Sequence, residues 1–132
     1  MTQRVALGGL PVGGQEPLIS TAVRWGDLLF LSGRAPIDTE MLEVVSDDFE
    51  EQARMVLNDI VAALGDAGSG PENVLHARCY LARAEDFAAW NRLWAEYFTA
   101  PRPARTTVVT EFTVPGMLIE VEITAGIPGA AP

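Results

Sequence analysis

"SDDFEEQARMVLNDIVAALGDAG", residues 46–68, is the stretch on which the fold turns. Phe49, Ala53, Val56, Leu57, Ile60, Val61 and Leu64 recur at the spacing of one helical face, period 3.6. Ser46, Asp47 or Asp48 can cap the start, and the acids of the first turn suit the positive end of the helix dipole. Gly68 stands where a left-handed residue ends a helix. "NVLHARCYLA", residues 73–82, follows as a strand. Its alternation puts Leu75, Ala77, Cys79 and Leu81 on one face and His76, Arg78 and Tyr80 on the other.

Working outward, "AEDFAAWNRLWAEYF", residues 84–98, reads as a second, shorter helix. Phe87, Trp90, Trp94 and Phe98 form its apolar side, with Tyr97 beside them. Pro101 and Pro103 stop it. Strands 105–110 and 117–125 close the chain. Upstream, "STAVRWGDLLFLSG", residues 20–33, reads as two strands around a Gly26-Asp27 turn. "RAPIDTEMLEV", residues 34–44, reads as an irregular connection. Residues 1–16 form an N-terminal strand or loop, with a Gly/Pro loop in "GGLPVGGQEP", and 126–132 a flexible tail. The order is β-β-α-β-α-β-β. Two helices cannot cover both faces of such a sheet, so the expectation is a two-layer α+β domain over residues 1–132, a mixed sheet with both helices on one face.

Composition narrows the function. The chain has 132 residues, of which 48% are apolar. A chain of this length buries roughly two thirds of its unfolded surface. Cys79 is its one cysteine, so no disulfide forms within it, which fits a reducing compartment. No signal-peptide pattern opens the chain, and no apolar run approaches the roughly 20 residues of a membrane span. The expectation is a cytoplasmic protein that does not meet membranes. The formal charge is −9, the wrong field for neutralising phosphates, so no nucleic-acid partner is expected. His76 is the only histidine, which leaves no Ser-His pair and no multi-histidine metal site in one chain.

The face turned away from the helices mixes apolar residues (Leu118, Tyr80, Val109, Phe30 or Leu29) with charges, and a patch of that kind meets a partner. Identical chains are an economical partner, since most soluble oligomers are symmetric. In the last strand Met117, Ile119, Val121 and Ile123 point inward and Leu118, Glu120, Glu122 and Thr124 outward. Taken as an antiparallel hairpin with its loop near residues 112–115, the last two strands pair Arg105 with Glu122. Arg105 then lies diagonal to Glu120, and the two share one site on the outward face.

These residues carry a resemblance. "PARTTVVTEFTVPGMLIEVEI" resembles the C-terminal signature of the RidA (YjgF) family. "GDLLFLSGRAPID" is similar to its "GNLLFLSGQIPLD" type of segment, and "DFAAWNRLWAEYF" to its Asp-Phe…Asn…Tyr…Phe helix. The resemblance runs through roughly residues 17–125. It implies a chorismate-mutase-like fold and a homotrimer with sites between subunits. The implied activity is hydrolysis of reactive 2-imino and 2-enamino acids, such as 2-aminoacrylate and its 2-iminopropanoate tautomer, to 2-keto acids and ammonia, with neither metal nor organic cofactor.

Carried over by motif, Arg105 matches the arginine that grips the substrate carboxylate and Glu120 the acid that handles the attacking water. Ser32 and Gly33 match a pocket segment, and Asn91 the helix asparagine. Three positions depart. Ile19 stands for the usual Tyr, Thr107 for a frequent Cys, and Arg34 for a Gln. The loss of the Tyr hydroxyl at Ile19 bears on substrate choice. The alternatives are a non-catalytic carboxylate-binding or regulatory protein, a deaminase of a larger, pathway-specific substrate, and a ribonuclease.

Overall fold

A computed structural model describes residues 2–10 and 16–129 of the chain. Helix α1 spans Phe49–Asp66, and its ends are as the sequence predicts. Asp48 accepts a hydrogen bond from the Glu51 backbone N–H at 3.0 Å. At the other end Ser69 N–H reaches Leu64 C=O (2.8 Å) and Gly68 N–H reaches Gly65 C=O (3.1 Å), the paired bonds of a Schellman ending. Gly68 takes φ +81° there, a conformation costly for a residue with a Cβ.

The strands are β1 (Arg4–Leu7), β2 (Ala22–Trp25), β3 (Leu28–Leu31), β4 (Ile37–Asp38), β5 (Glu43–Val44), β6 (Val74–Leu81), β7 (Ala104–Val109) and β8 (Ile119–Gly126), with helix α2 at Phe87–Tyr97. Six of them form one sheet in the order β1-β2-β3-β8-β6-β7. Every pair is antiparallel except β6 and β7, which run parallel and are joined through α2. Both helices pack on one face. Val56, Leu57, Ile60 and Leu64 of α1 and Trp90, Leu93 and Trp94 of α2 meet Leu29, Cys79, Leu81, Ile119, Val121 and Ile123 of the sheet. The α+β, two-layer expectation holds.

Details differ. The segment 34–44 carries a small ribbon, β4 with β5, and β1 adds an N-terminal strand to the sheet. A bulge between Val74 and His76 breaks the alternation of β6, so Val74 is buried and Leu75 is 50% exposed. In α2, Phe87 is 44% exposed and Leu93 fills the core instead, because Phe87 opens the helix at the outer edge of the sheet, over β7. Residue 126, read as the start of a tail, still belongs to β8, and Ile127 N–H bonds Asp27 C=O at 2.8 Å. Residues 130–132 of that tail and 11–15 of the Gly/Pro loop lie outside the described residues.

The largest correction concerns the last two strands, which do not form a hairpin. β8 is a central strand between β3 and β6, and β7 lies beyond β6 at the edge. Arg105 pairs with Ala77 rather than Glu122, and Glu120 pairs with Tyr80. The physical reason lies in α2. A helix between two strands makes a crossover, and a crossover returns the chain parallel to the strand it left. The apolar side of β8 also gains a paired neighbour on each edge, which a terminal hairpin would leave half open.

Candidate active site

Two side-chain groups carry the candidate residues, and the sheet separates them. On β8, Ile119, Val121 and Ile123 are buried against the helices, so Glu120 and Glu122 project from the opposite, open face. Gly33 lies directly against Glu120. Its neighbour Arg34 bonds Val121 in both directions, N–H to C=O at 2.8 Å and the reverse at 3.2 Å, which draws the segment onto β8. A Cβ on residue 33 would collide with the Glu120 carboxylate, so only glycine leaves that carboxylate its place. Ser32 donates through Oγ to Ser20 C=O at 2.7 Å, which holds the 19–20 segment beside it. Ile19, 48% exposed, sits on that segment and bridges to Leu10. A cavity of about 380 Å³ opens here, lined by Gly33, Tyr80, Glu111, Phe112, Glu120 and Glu122 among others.

The electrostatics of this cavity are acidic. Burial, and then the charge of Glu122, push the Glu120 carboxyl above the usual carboxylate range. Tyr80 donates its hydroxyl to Glu122 at 2.8 Å, and that bond raises the Tyr80 phenol in turn. Among the described residues the lining holds three carboxylates and no cation, so an anion would meet net negative charge there.

The cation is on the other side. Arg105 shares its row with Ala77 and Ile123, both buried under the helices, so it belongs to the helix face at the edge strand. Its guanidinium donates to Asn91 Oδ1 of α2 at 2.6 Å. It also lies 5.1 Å from the centre of the Trp94 ring and 5.7 Å from that of Phe87, within cation–π range. Thr107, next but one along β7, pairs with Cys79 in the sheet. An apolar hollow of about 290 Å³ runs beside it, lined by Leu81, Ala84, Phe87, Thr107 and Val109 among others. As an edge strand, β7 presents backbone N–H groups that have no strand partner on its outer side among the described residues. Burial pushes the Cys79 thiol up to about 11, which keeps it uncharged at neutral pH and unfit as a nucleophile.

The predicted residues therefore fall into two groups. Gly33 meets Glu120 in one, with Ser32 next to Gly33 and Ile19 on the segment that Ser32 bonds through Ser20, while Asn91, Arg105 and Thr107 belong to the other. The expectation that Arg105 and Glu120 share one face of one chain is overturned by the parallel pairing of β7. Arg34, which departs from the family pattern, belongs to neither. It is 8% exposed, and its side chain turns to the helix face, donating to Thr21 C=O (3.0 Å) and pairing with Asp59 (3.3 Å). Its role is to tie β2 and α1 to the Gly33 segment.

Sequence reading missed three contributors. Tyr80 and Glu122 were visible on the open face by alternation, but only the β6–β8 register puts them beside Glu120. Gln52 is polar and follows Glu51, and its one signal is its place on the helical stripe of Phe49, Ala53 and Val56. It is fully buried, donates to Ser46 C=O (2.7 Å) and Gly116 C=O (2.9 Å), and accepts from Leu118 N–H (2.8 Å). Those bonds fix where β8 begins and hence which way Glu120 points.

Comparison with known proteins agrees with this architecture. The family model described as "Endoribonuclease L-PSP" matches residues 15–127. A RutC family protein of Pyrococcus horikoshii is 39% identical over 106 residues, 80% of this chain and 84% of the relative. A structure from Yersinia pestis, described as a protein of unknown function of the conserved Rid family, superposes with TM-score 0.82 at 27% identity, over 95% of this chain and all of that one. A YjgF-family structure from Neisseria meningitidis gives TM-score 0.81 at 30% identity, covering 97% and 98%.

Proposed function

The chain belongs to the YjgF/Rid family, and from that premise we propose that it is an imine/enamine deaminase whose site is completed between subunits of a homotrimer. One observation carries the reading. The carboxylate-gripping group and the acid–base group are each well built, yet they face opposite sides of one sheet. A 2-imino acid needs both at once. A second copy, docking its open sheet face near the edge strand of the first, supplies the missing half.

The substrate carboxylate lies on the Arg105 guanidinium, whose planar fork of donors matches it. Asn91 and the Trp94 and Phe87 rings hold that fork in place. The apolar hollow beside Thr107 takes the substrate side chain. Glu120 of the neighbouring copy takes one proton of a water as its oxygen adds to the C=N carbon, and returns it to nitrogen. The C–N bond of the resulting carbinolamine then breaks, its hydroxyl proton passing through the same carboxylate to the departing ammonia. The imine carbon is already electrophilic, so orientation and proton transfer suffice. With Ile19 in place of a Tyr hydroxyl, the mouth of the site is wider and more apolar, which suits 2-imino acids with larger side chains.

A second reading comes from the matched family's description, endoribonuclease. The charge of −9, the lone His76 and the acidic cavity all oppose it. One experiment separates the two. Native protein should release ammonia from freshly generated 2-iminopropanoate above the spontaneous rate. It should leave single-stranded RNA intact at low salt, where electrostatic binding is strongest. RNA cleavage that is lost in Arg105→Ala, with no acceleration of ammonia release, would reverse the order of the readings.

A further inference from the structure

Glu120 and Glu122 stand two residues apart on the open face of β8, one strand repeat of roughly 7 Å. Two like charges at that spacing destabilise each other. The second is held in place by its neighbours. Tyr80, from β6, donates to Glu122 Oε1 at 2.8 Å, and Arg78 approaches the same oxygen at 4.0 Å. Glu120 has neither bond. It lies against Gly33 in the cavity, and among the described residues no donor bonds its carboxylate.

We propose that Glu122 is a positioning residue for Glu120: its charge, anchored by Tyr80 and Arg78, makes Glu120 hold the proton it carries between water and the departing nitrogen. The inference rests on the deaminase reading of Glu120. A carboxylate at its ordinary affinity is a weak base near neutral pH and releases a captured proton to solvent. One made more basic by burial and a neighbouring charge is better matched to the transfer. Burial is the larger cause at Glu120 and Glu122 the second.

Of the two carboxylates that share the cavity with Glu120, Glu122 stands on the same strand and is held by the Tyr80 hydroxyl. Glu111, from the segment after β7, lines the same cavity. Arg78 lies 4.0 Å from Glu122, both side chains being exposed, and offsets part of that charge. His76 lies one row beyond Arg78 on β6, against Thr106 at 3.5 Å. Arg34 directs its guanidinium to the opposite face. In the assembled site the neighbouring Arg105 would oppose Glu122, so the effect is largest before the substrate carboxylate occupies that arginine.

The test compares native protein, Glu122→Gln and Glu122→Asp. Gln keeps the shape and can still accept from Tyr80, while Asp keeps the charge. The Glu120 carboxyl is followed by carbon-13 NMR, and kcat/KM is followed against pH. In Glu122→Gln, Glu120 should titrate at lower pH than in the native protein, though still above an ordinary carboxylate because burial persists. The acid limb of kcat/KM should move with it. At a pH on that limb, activity relative to the plateau should rise about three- to tenfold. Glu122→Asp should restore the native profile. If Glu120 titrates at the same pH in Glu122→Gln as in the native protein, the proposal is overturned. If the native protein shows no turnover, the deaminase reading fails, and the carboxyl titration still decides the coupling of the two acids.

Discussion

Glu120→Gln is expected to lower turnover of 2-iminopropanoate by about 10²- to 10⁴-fold, the usual range for removing a general acid–base group. Binding of pyruvate, a product-like carboxylate, should survive or tighten, because a negative charge leaves an acidic cavity. Stability supplies a further check on the role. The folded state holds the Glu120 proton more tightly than the unfolded chain does, since its carboxyl is raised by burial and by Glu122. The stabilising contribution is therefore present below the unfolded pKa and is lost as pH rises through the folded one. At neutral pH the ionised acid is a burden, and a neutral Gln should hold the melting temperature level or raise it. A structural ion pair would give the opposite sign. Gly33→Ala should reproduce part of the loss in turnover with Glu120 intact, because its Cβ displaces that carboxylate.

Arg105→Lys should act on binding. Lysine keeps the charge but loses the fork, the stacking over Trp94 and Phe87, and the geometry of the bond to Asn91. Pyruvate affinity should weaken by about 1.5–3 kcal/mol, the range for a hydrogen bond to a charged group. Calorimetric titration of native and variant protein measures it. Thermal stability should change little, since Arg105 lies at the rim of an edge strand rather than in the core. Taken with Glu120→Gln, the pattern separates a clamp from a proton carrier. Loss of binding in both variants, with equal loss of stability, would make the two residues structural.

Most of the fold was legible because its elements announce themselves locally. The period of α1, the cap at Asp48, the Schellman ending at Gly68 and the Gly26 turn each depend on a few neighbouring residues. The pairing of the strands does not. β7 runs β-branched from Thr106 to Val109, so its alternation could not show which side is buried. Its partner is set by the crossover through α2, some thirty residues upstream at Ala77. One wrong pairing moved Arg105 to the wrong face. The identities of the site residues came from motif, which survives a mistaken register. Their arrangement came from topology, which a motif does not contain. The bond from Leu118 N–H to Gln52 and that from Tyr80 to Glu122 span 66 and 42 positions, and no local pattern shows either partner.

The claim that one site is shared between two copies is tested most directly by complementation. Arg105→Ala and Glu120→Gln, each nearly inactive alone, are co-expressed with different affinity tags. Mixed oligomers carrying both tags are then isolated. In every mixed trimer one interface joins an intact Arg105 from one variant to an intact Glu120 from the other, so turnover should recover to about a third of native. Recovery to that level is the result this account predicts. Mixed oligomers no more active than their parents would contradict it and return both residues to a single chain.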